Sequence, residues 1–119
     1  MKRYILTDTI PLLDESIRTK RDLAQSPNTR PATLMELAKD LDDGVRANVA
    51  GNHNTPLETL NILAVDDSDE VRYWVIRNPN ISVGLLETFL HDEYEGIRTV
   101  ARWLLVNKYH YDVDSGEKG

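Results

Sequence analysis

The chain has 119 residues, carries a net charge of −6 at pH 7 and contains no cysteine. The lack of cysteine excludes disulfides, thiolate zinc sites and cysteine-ligated iron–sulfur clusters, and this length is typical of one domain. Apolar runs stay well below the roughly 18 residues of a membrane span, and the first residues turn polar too early for a signal peptide. We therefore expect a cytoplasmic protein.

The first predicted element is an N-terminal capping helix over residues 9–24. Its apolar side chains would face inward, namely Leu12, Leu13 and Ile17. The residues that follow the capping helix repeat one pattern with a period of 26 residues. A period of this length indicates an array of small structural units.

The repeat is clearest in a dipeptide of an aliphatic residue followed by arginine. An aspartate stands five residues before each copy and marks a bend ahead of a helix. The aligned residues are Asp40 with Val45-Arg46, Asp66 with Val71-Arg72, and Asp92 with Ile97-Arg98. One period upstream, Thr19-Lys20 keeps the positive charge but lacks the aliphatic residue, which indicates a degenerate first copy.

The middle of the chain predicts two short helices per unit. In residues 55–64, Thr55, Pro56 and Glu58 predict a capping box with proline at the first helical position. The same segment carries an apolar stripe at steps of three and four residues, formed by Leu57, Leu60, Leu63 and Ala64. In residues 68–77, acidic residues occupy the first turn, and the side chains predicted to face inward are Val71, Trp74 and Val75.

Helix pairs this short cannot bury their apolar stripes alone, so neighbouring pairs must stack. The pattern resembles HEAT-type repeats over residues 12–106, most closely the leucine-rich repeat variant family. This resemblance implies an all-α, right-handed α-solenoid, with about four helix-pair repeats here, and such folds generally serve binding. We expect one domain over residues 1–110 and a flexible acidic tail over residues 111–119.

The recurring arginines allow two interpretations. Arg46, Arg72 and Arg98 could contact phosphates or an acidic partner along one face. The interpretation that we favour is a structural ladder, in which each arginine pairs with a repeat aspartate, as the HEAT resemblance suggests. The aspartates of this ladder would be Asp40, Asp66 and Asp92.

Candidate protein-binding residues fall into two groups. Tyr73 and Arg77 are bulky at positions where the preceding repeat has Ala47 and Gly51, which favours a recognition face. Acidic residues at the bends would line one rim and either meet a basic partner or simply cap helices. They are Asp42, Asp43, Asp69, Glu70 and Glu95.

Catalysis and cofactor binding find no support in the sequence. The three histidines, His53, His91 and His110, lie far apart and lack metal-ligand spacing, and no nucleophile motif or phosphate loop occurs. We therefore predict no enzyme activity, no metal and no cofactor. The leading hypothesis is a protein-interaction adaptor. The sequence does not indicate the oligomeric state. The alternatives are an acidic inhibitor that mimics nucleic acid, and direct DNA binding through the repeat arginines, which the net charge disfavours.

Overall fold

The computed structural model describes residues 16–112 and 117–118, and the regular structure of these residues is mainly α-helical, as predicted. The helices are α1 (16–25), α2 (Pro31–Leu37), α3 (Asp43–Gly51), α4 (Leu57–Leu63), α5 (Asp69–Ile76), α6 (Val83–Thr88) and α7 (Glu95–Tyr109), with a 3₁₀ turn at Phe89–His91. Two short strands, β1 (Tyr111–Asp112) and β2 (Glu117–Lys118), pair antiparallel within the segment expected to form the tail. No described helix is both long and apolar enough to cross a membrane.

The odd-numbered helices pack side by side, and the even-numbered helices flank them. Helix α5 contacts α3 on one side and α7 on the other. The helices α2, α4 and α6 each contact the odd-numbered helix that follows in the chain. Helices that are 26 residues apart in the sequence therefore make the same kinds of contact with their neighbours.

The core consists of the same repeat positions taken from successive units. The aliphatic residues that precede the repeat arginines, and the leucines at the centre of the even-numbered helices, are completely buried. They are Val45, Val71 and Ile97, and Leu34, Leu60 and Leu86. Each such side chain contributes about 1.5–3 kcal/mol of burial free energy, so the shared core stabilises the stack of short helices.

The repeat aspartates shape the bend before each odd-numbered helix. Oδ1 of Asp40 accepts a hydrogen bond from the backbone N–H of Asp42 (2.9 Å), and Oδ1 of Asp66 accepts one from Ser68 (3.0 Å). Asp92 accepts the equivalent bond from Tyr94 (2.8 Å). A short side chain that bonds the backbone two residues ahead favours a turn, so this position marks where each helix will begin.

The predicted capping box at Thr55 is wrong. Helix α4 begins at Leu57 with Pro56 as its N-cap, and no side chain bonds the cap. The Thr55 hydroxyl is buried and donates instead to the backbone carbonyl of Val49 (2.6 Å). Carbonyls in the last turn of a helix lack intrahelical partners, so this threonine closes the end of α3 rather than opening α4.

Three apolar side chains predicted to face inward are partly exposed. Ile17 is 40% exposed near the start of α1, while Leu12 and Leu13 lie outside the described residues. Leu57 is 37% exposed at the first turn of α4. Trp74 is 40% exposed because its indole lies across α3 at Gly51 instead of entering the core.

Candidate protein-binding surface

An ion-pair ladder joins successive repeats along the odd-numbered helices. Nε and Nη2 of Arg46 lie 2.8 and 3.1 Å from the two carboxylate oxygens of Asp66. Arg72 meets Asp92 with the same two distances. Lys20 and Asp40 form the first rung through one contact of 3.0 Å. The arginine rungs are bidentate, a geometry that fixes orientation as well as distance.

The rungs become more buried toward the C-terminus of the ladder. The side chains of Arg72 and Asp92 are 8% and 7% exposed, whereas that of Lys20 is 45% exposed. Burial raises the pKa of Asp92, but hydrogen bonds from Arg72 and from the Tyr94 N–H outweigh it and hold that pKa below its usual value. The carboxylate therefore stays ionised at neutral pH, and the donors of Arg72 are engaged inside the protein.

Asparagine side chains form a second ladder across the repeats. Nδ2 of Asn52 donates to the carbonyls of Ala24 and Ser26 (both 2.8 Å). One period later, Nδ2 of Asn78 donates to the carbonyls of Ala50 (2.7 Å) and Asn52 (2.8 Å). A parallel row is formed by Asn54, bonded to Pro27 and Thr29, and Asn80, bonded to His53 and Thr55. Each amide thus donates to two backbone carbonyls of the preceding repeat and ties the two repeats together.

The asparagine ladder stops before α7. Leu104 and Val106 stand one period after Asn78 and Asn80, and α7 runs on to Tyr109 instead of bending there. Among the described residues, no side-chain amide reaches the four carbonyls equivalent to those bonded in the earlier repeats. They belong to Ile76, Asn78, Pro79 and Ile81.

An open groove of about 440 Å³ lies where the asparagine ladder stops, between α5, its following bend and α7. Its apolar lining includes Ile76, Ile81, Leu86, Val100 and Leu104, and the more polar or aromatic lining includes Arg77, Trp103, Lys108 and Tyr109. The repeat differs in sequence at this groove. Trp74 covers Gly51 between α3 and α5, whereas the positions one period later hold Val100 and Arg77, which both line the groove.

The structure brings Tyr73 and Arg77 together beside this groove. The rings of Tyr73 and Trp74 meet edge to face with centroids 5.6 Å apart, and the Arg77 guanidinium lies 5.4 Å from the Tyr73 ring centroid. A cation over an aromatic ring is held by the ring quadrupole, which positions Arg77 at the groove. Trp103, which also lines the groove, is 61% exposed.

The acidic candidates do not join this surface. Asp42 caps α3 at the Val45 N–H and forms a bidentate pair with Arg21 (2.8 and 2.9 Å), so its carboxylate is already engaged. Asp43 and Asp69 line a shallow depression near the start of α5, together with Asp67 and Glu93. Glu70 is exposed in the first turn of α5, and Glu95 lines a separate cleft beside α7.

Sequence reasoning did not single out Lys108, and it did not predict that this residue would share a groove with Trp103 and Tyr109. The available signal was the loss of asparagine at positions 104 and 106, which breaks a pattern present in two consecutive bends. Among the described residues, no group of three or more acidic or histidine side chains could hold a metal ion. Comparison of the chain with protein-family models, with curated proteins and with solved structures gives no match.

Proposed function

We propose that this protein is a non-catalytic interaction module, a right-handed α-solenoid of about four 26-residue helix-pair repeats that binds another protein through the open groove. The solenoid is supported by the two ladders, which tie each repeat to the one before it. The observation that carries the binding function is the open groove, with the exposed Trp103 in its lining.

The residues of this surface are of the types that dominate binding energies at protein interfaces. Tryptophan, tyrosine and arginine are enriched among interface hot spots. Trp74, Tyr73 and Arg77 form one cluster, and Arg77 of this cluster lines the groove together with Trp103. When a partner covers a partly exposed indole, its apolar surface is removed from water, and this favours binding. The groove is therefore suited to an apolar side chain of a partner protein, and Arg77 and Lys108 are suited to acidic groups next to it.

A second candidate function is an acidic inhibitor that mimics nucleic acid and binds a basic groove. It is supported by the depression lined by Asp43, Asp67, Asp69 and Glu93. A partner bound there should dissociate as salt is raised, because exposed charges are screened. Direct DNA binding has weaker support, since the donors of Arg46 and Arg72 are bonded to aspartates.

The test is a pull-down of the tagged protein from host lysate, with and without nuclease, followed by calorimetry with the purified protein that is captured. We expect nuclease-resistant capture and at least about tenfold weaker binding by Trp103→Ala, which is about 1.4 kcal/mol. Ile62→Ala is the matched control, because Ile62 is also exposed but lies on α4. Capture that requires nucleic acid, or equal affinities of the two variants, would contradict the proposal.

A further inference from the structure

Within residues 16–112, the ion-pair ladder ends at an arginine that has no carboxylate partner. Each arginine rung binds a carboxylate 20 residues further along the chain, as Arg46 does with Asp66 and Arg72 with Asp92. Arg98 is the next arginine in register, and the residue 20 positions after it is Lys118. Within residues 16–112, no carboxylate oxygen lies within 4.0 Å of the Arg98 guanidinium.

The guanidinium of Arg98 is nevertheless held by the same backbone contact as the paired arginines. Nη1 of Arg46 donates to the carbonyl of Asp40, and Nη1 of Arg72 donates to the carbonyl of Asp66, both at 2.8 Å. Nη1 of Arg98 donates to the carbonyl of Asp92 in the same way. Nε and Nη2, which bind the carboxylate in the other rungs, have no bonding partner among the described residues.

The space in front of Arg98 is a cleft of about 490 Å³. Its lining is Leu90, His91, Glu95, Arg98, Thr99 and Arg102. Arg102 supplies a second permanent positive charge, whereas Glu95 is the only carboxylate in the described lining and does not pair with either arginine. The cleft is therefore more basic than the acidic chain as a whole. An anion that enters the cleft would meet Nε and Nη2 of Arg98, two donors that lie side by side on the guanidinium.

We propose that Arg98 binds the carboxylate of a partner protein, specifically an aspartate in a bend that precedes a helix. Asp66 and Asp92 occupy such bends and provide the template for the geometry within this chain. The partner would add to the end of the array as a further repeat does. Thr99 lines both the cleft and the open groove, but Arg98 does not line the groove and Trp103 does not line the cleft. Loss of binding at Arg98 and loss of binding at Trp103 can therefore be measured independently.

The test uses the intact protein and a blocked hexapeptide with the sequence of residues 64–69, which contains the bend of Asp66. The probe signal is the Nε–Hε resonance of Arg98 in a heteronuclear NMR titration. We expect a saturable shift, which weakens about fivefold when Asp66→Asn is made in the peptide, because a neutral amide cannot replace the charge-assisted pair. Acetate at the same concentration should produce a smaller shift, since it lacks the bend.

Matched variants separate specific binding from general charge. Arg98→Lys keeps the charge but loses the planar two-donor edge, so peptide affinity should fall. Arg30→Gln removes one exposed charge at the start of α2, outside both the cleft and the groove, and should leave peptide affinity unchanged. Circular dichroism checks that each variant remains helical. An unresponsive Arg98 resonance, equal shifts with acetate and peptide, or full affinity in Arg98→Lys would each overturn the proposal.

Discussion

The interface between α3 and α5 and the interface between α5 and α7 come from the same repeat but are closed to different extents. Between α3 and α5, Asn78 bonds two carbonyls of the preceding repeat and Trp74 covers Gly51. Between α5 and α7, Leu104 replaces the asparagine and Val100 replaces the tryptophan, and a groove lies between the helices. Changes at a few repeat positions thus turn a packing interface into a surface that a partner can reach.

The ion-pair ladder differs along its length in a similar way. Its last closed rung, Arg72–Asp92, is nearly buried and bidentate, while its first rung relies on a half-exposed lysine with one contact. Lysine is a strongly hydrated point charge, whereas arginine offers a planar pair of donors that matches a carboxylate. The two rungs carry the same pair of charges, but we expect the Arg72–Asp92 pair to contribute more to stability than the Lys20–Asp40 pair.

The largest expected effect comes from breaking the buried rung. Arg72→Gln should lower the free energy of unfolding by about 3 kcal/mol, because it leaves the carboxylate of Asp92 buried without its charge partner. Lys20→Gln at the exposed rung should cost less than about 1 kcal/mol. Urea denaturation of both variants measures the difference, and equal losses would contradict the unequal ladder described above.

The next effect concerns the asparagine ladder. Asn78→Ala should destabilise the protein by about 2 kcal/mol, since the carbonyls of Ala50 and Asn52 lose a buried donor. Asn61→Ala, on the exposed face of α4, is the matched control and should change the unfolding free energy by less than about 0.5 kcal/mol. Thermal or urea melts would show the contrast, and similar stabilities of the two variants would mean that the ladder contributes little.

The smallest expected effect is the dependence of the free energy of unfolding on pH. The pKa values of Asp66 and Asp92 are held below the usual value, so their pairs contribute stability that is fully present above about pH 4, the range of an unfolded aspartate. This contribution is lost as pH falls through the lower folded-state pKa values. We expect wild-type stability to fall in that acidic range, and Arg72→Gln to show a shallower dependence. If the stability of the two proteins falls equally over this pH range, the Arg72–Asp92 pair is not the cause of the pH dependence.

Much of the fold could be predicted from the sequence because its determinants are local. The spacing of Leu60 and Leu63, the bend at Asp66 and the period itself depend on residues that lie close in the chain. The candidate site was predictable only in part. Tyr73 and Arg77 were marked by contrast with small residues one period earlier, whereas nothing local indicated that Trp103 and Lys108 would line one groove.

By itself the sequence determined the helical composition, the 26-residue period and the positions of the bends, since apolar spacing and turn chemistry act over a few residues. The tertiary structure decided which polar groups meet across repeats. The amide of Asn78 finds carbonyls 26 and 28 residues away, and the indole of Trp74 lies across a glycine on the neighbouring helix. Such pairings depend on how helices stack in space, and the stacking is fixed by the packing of all repeats together.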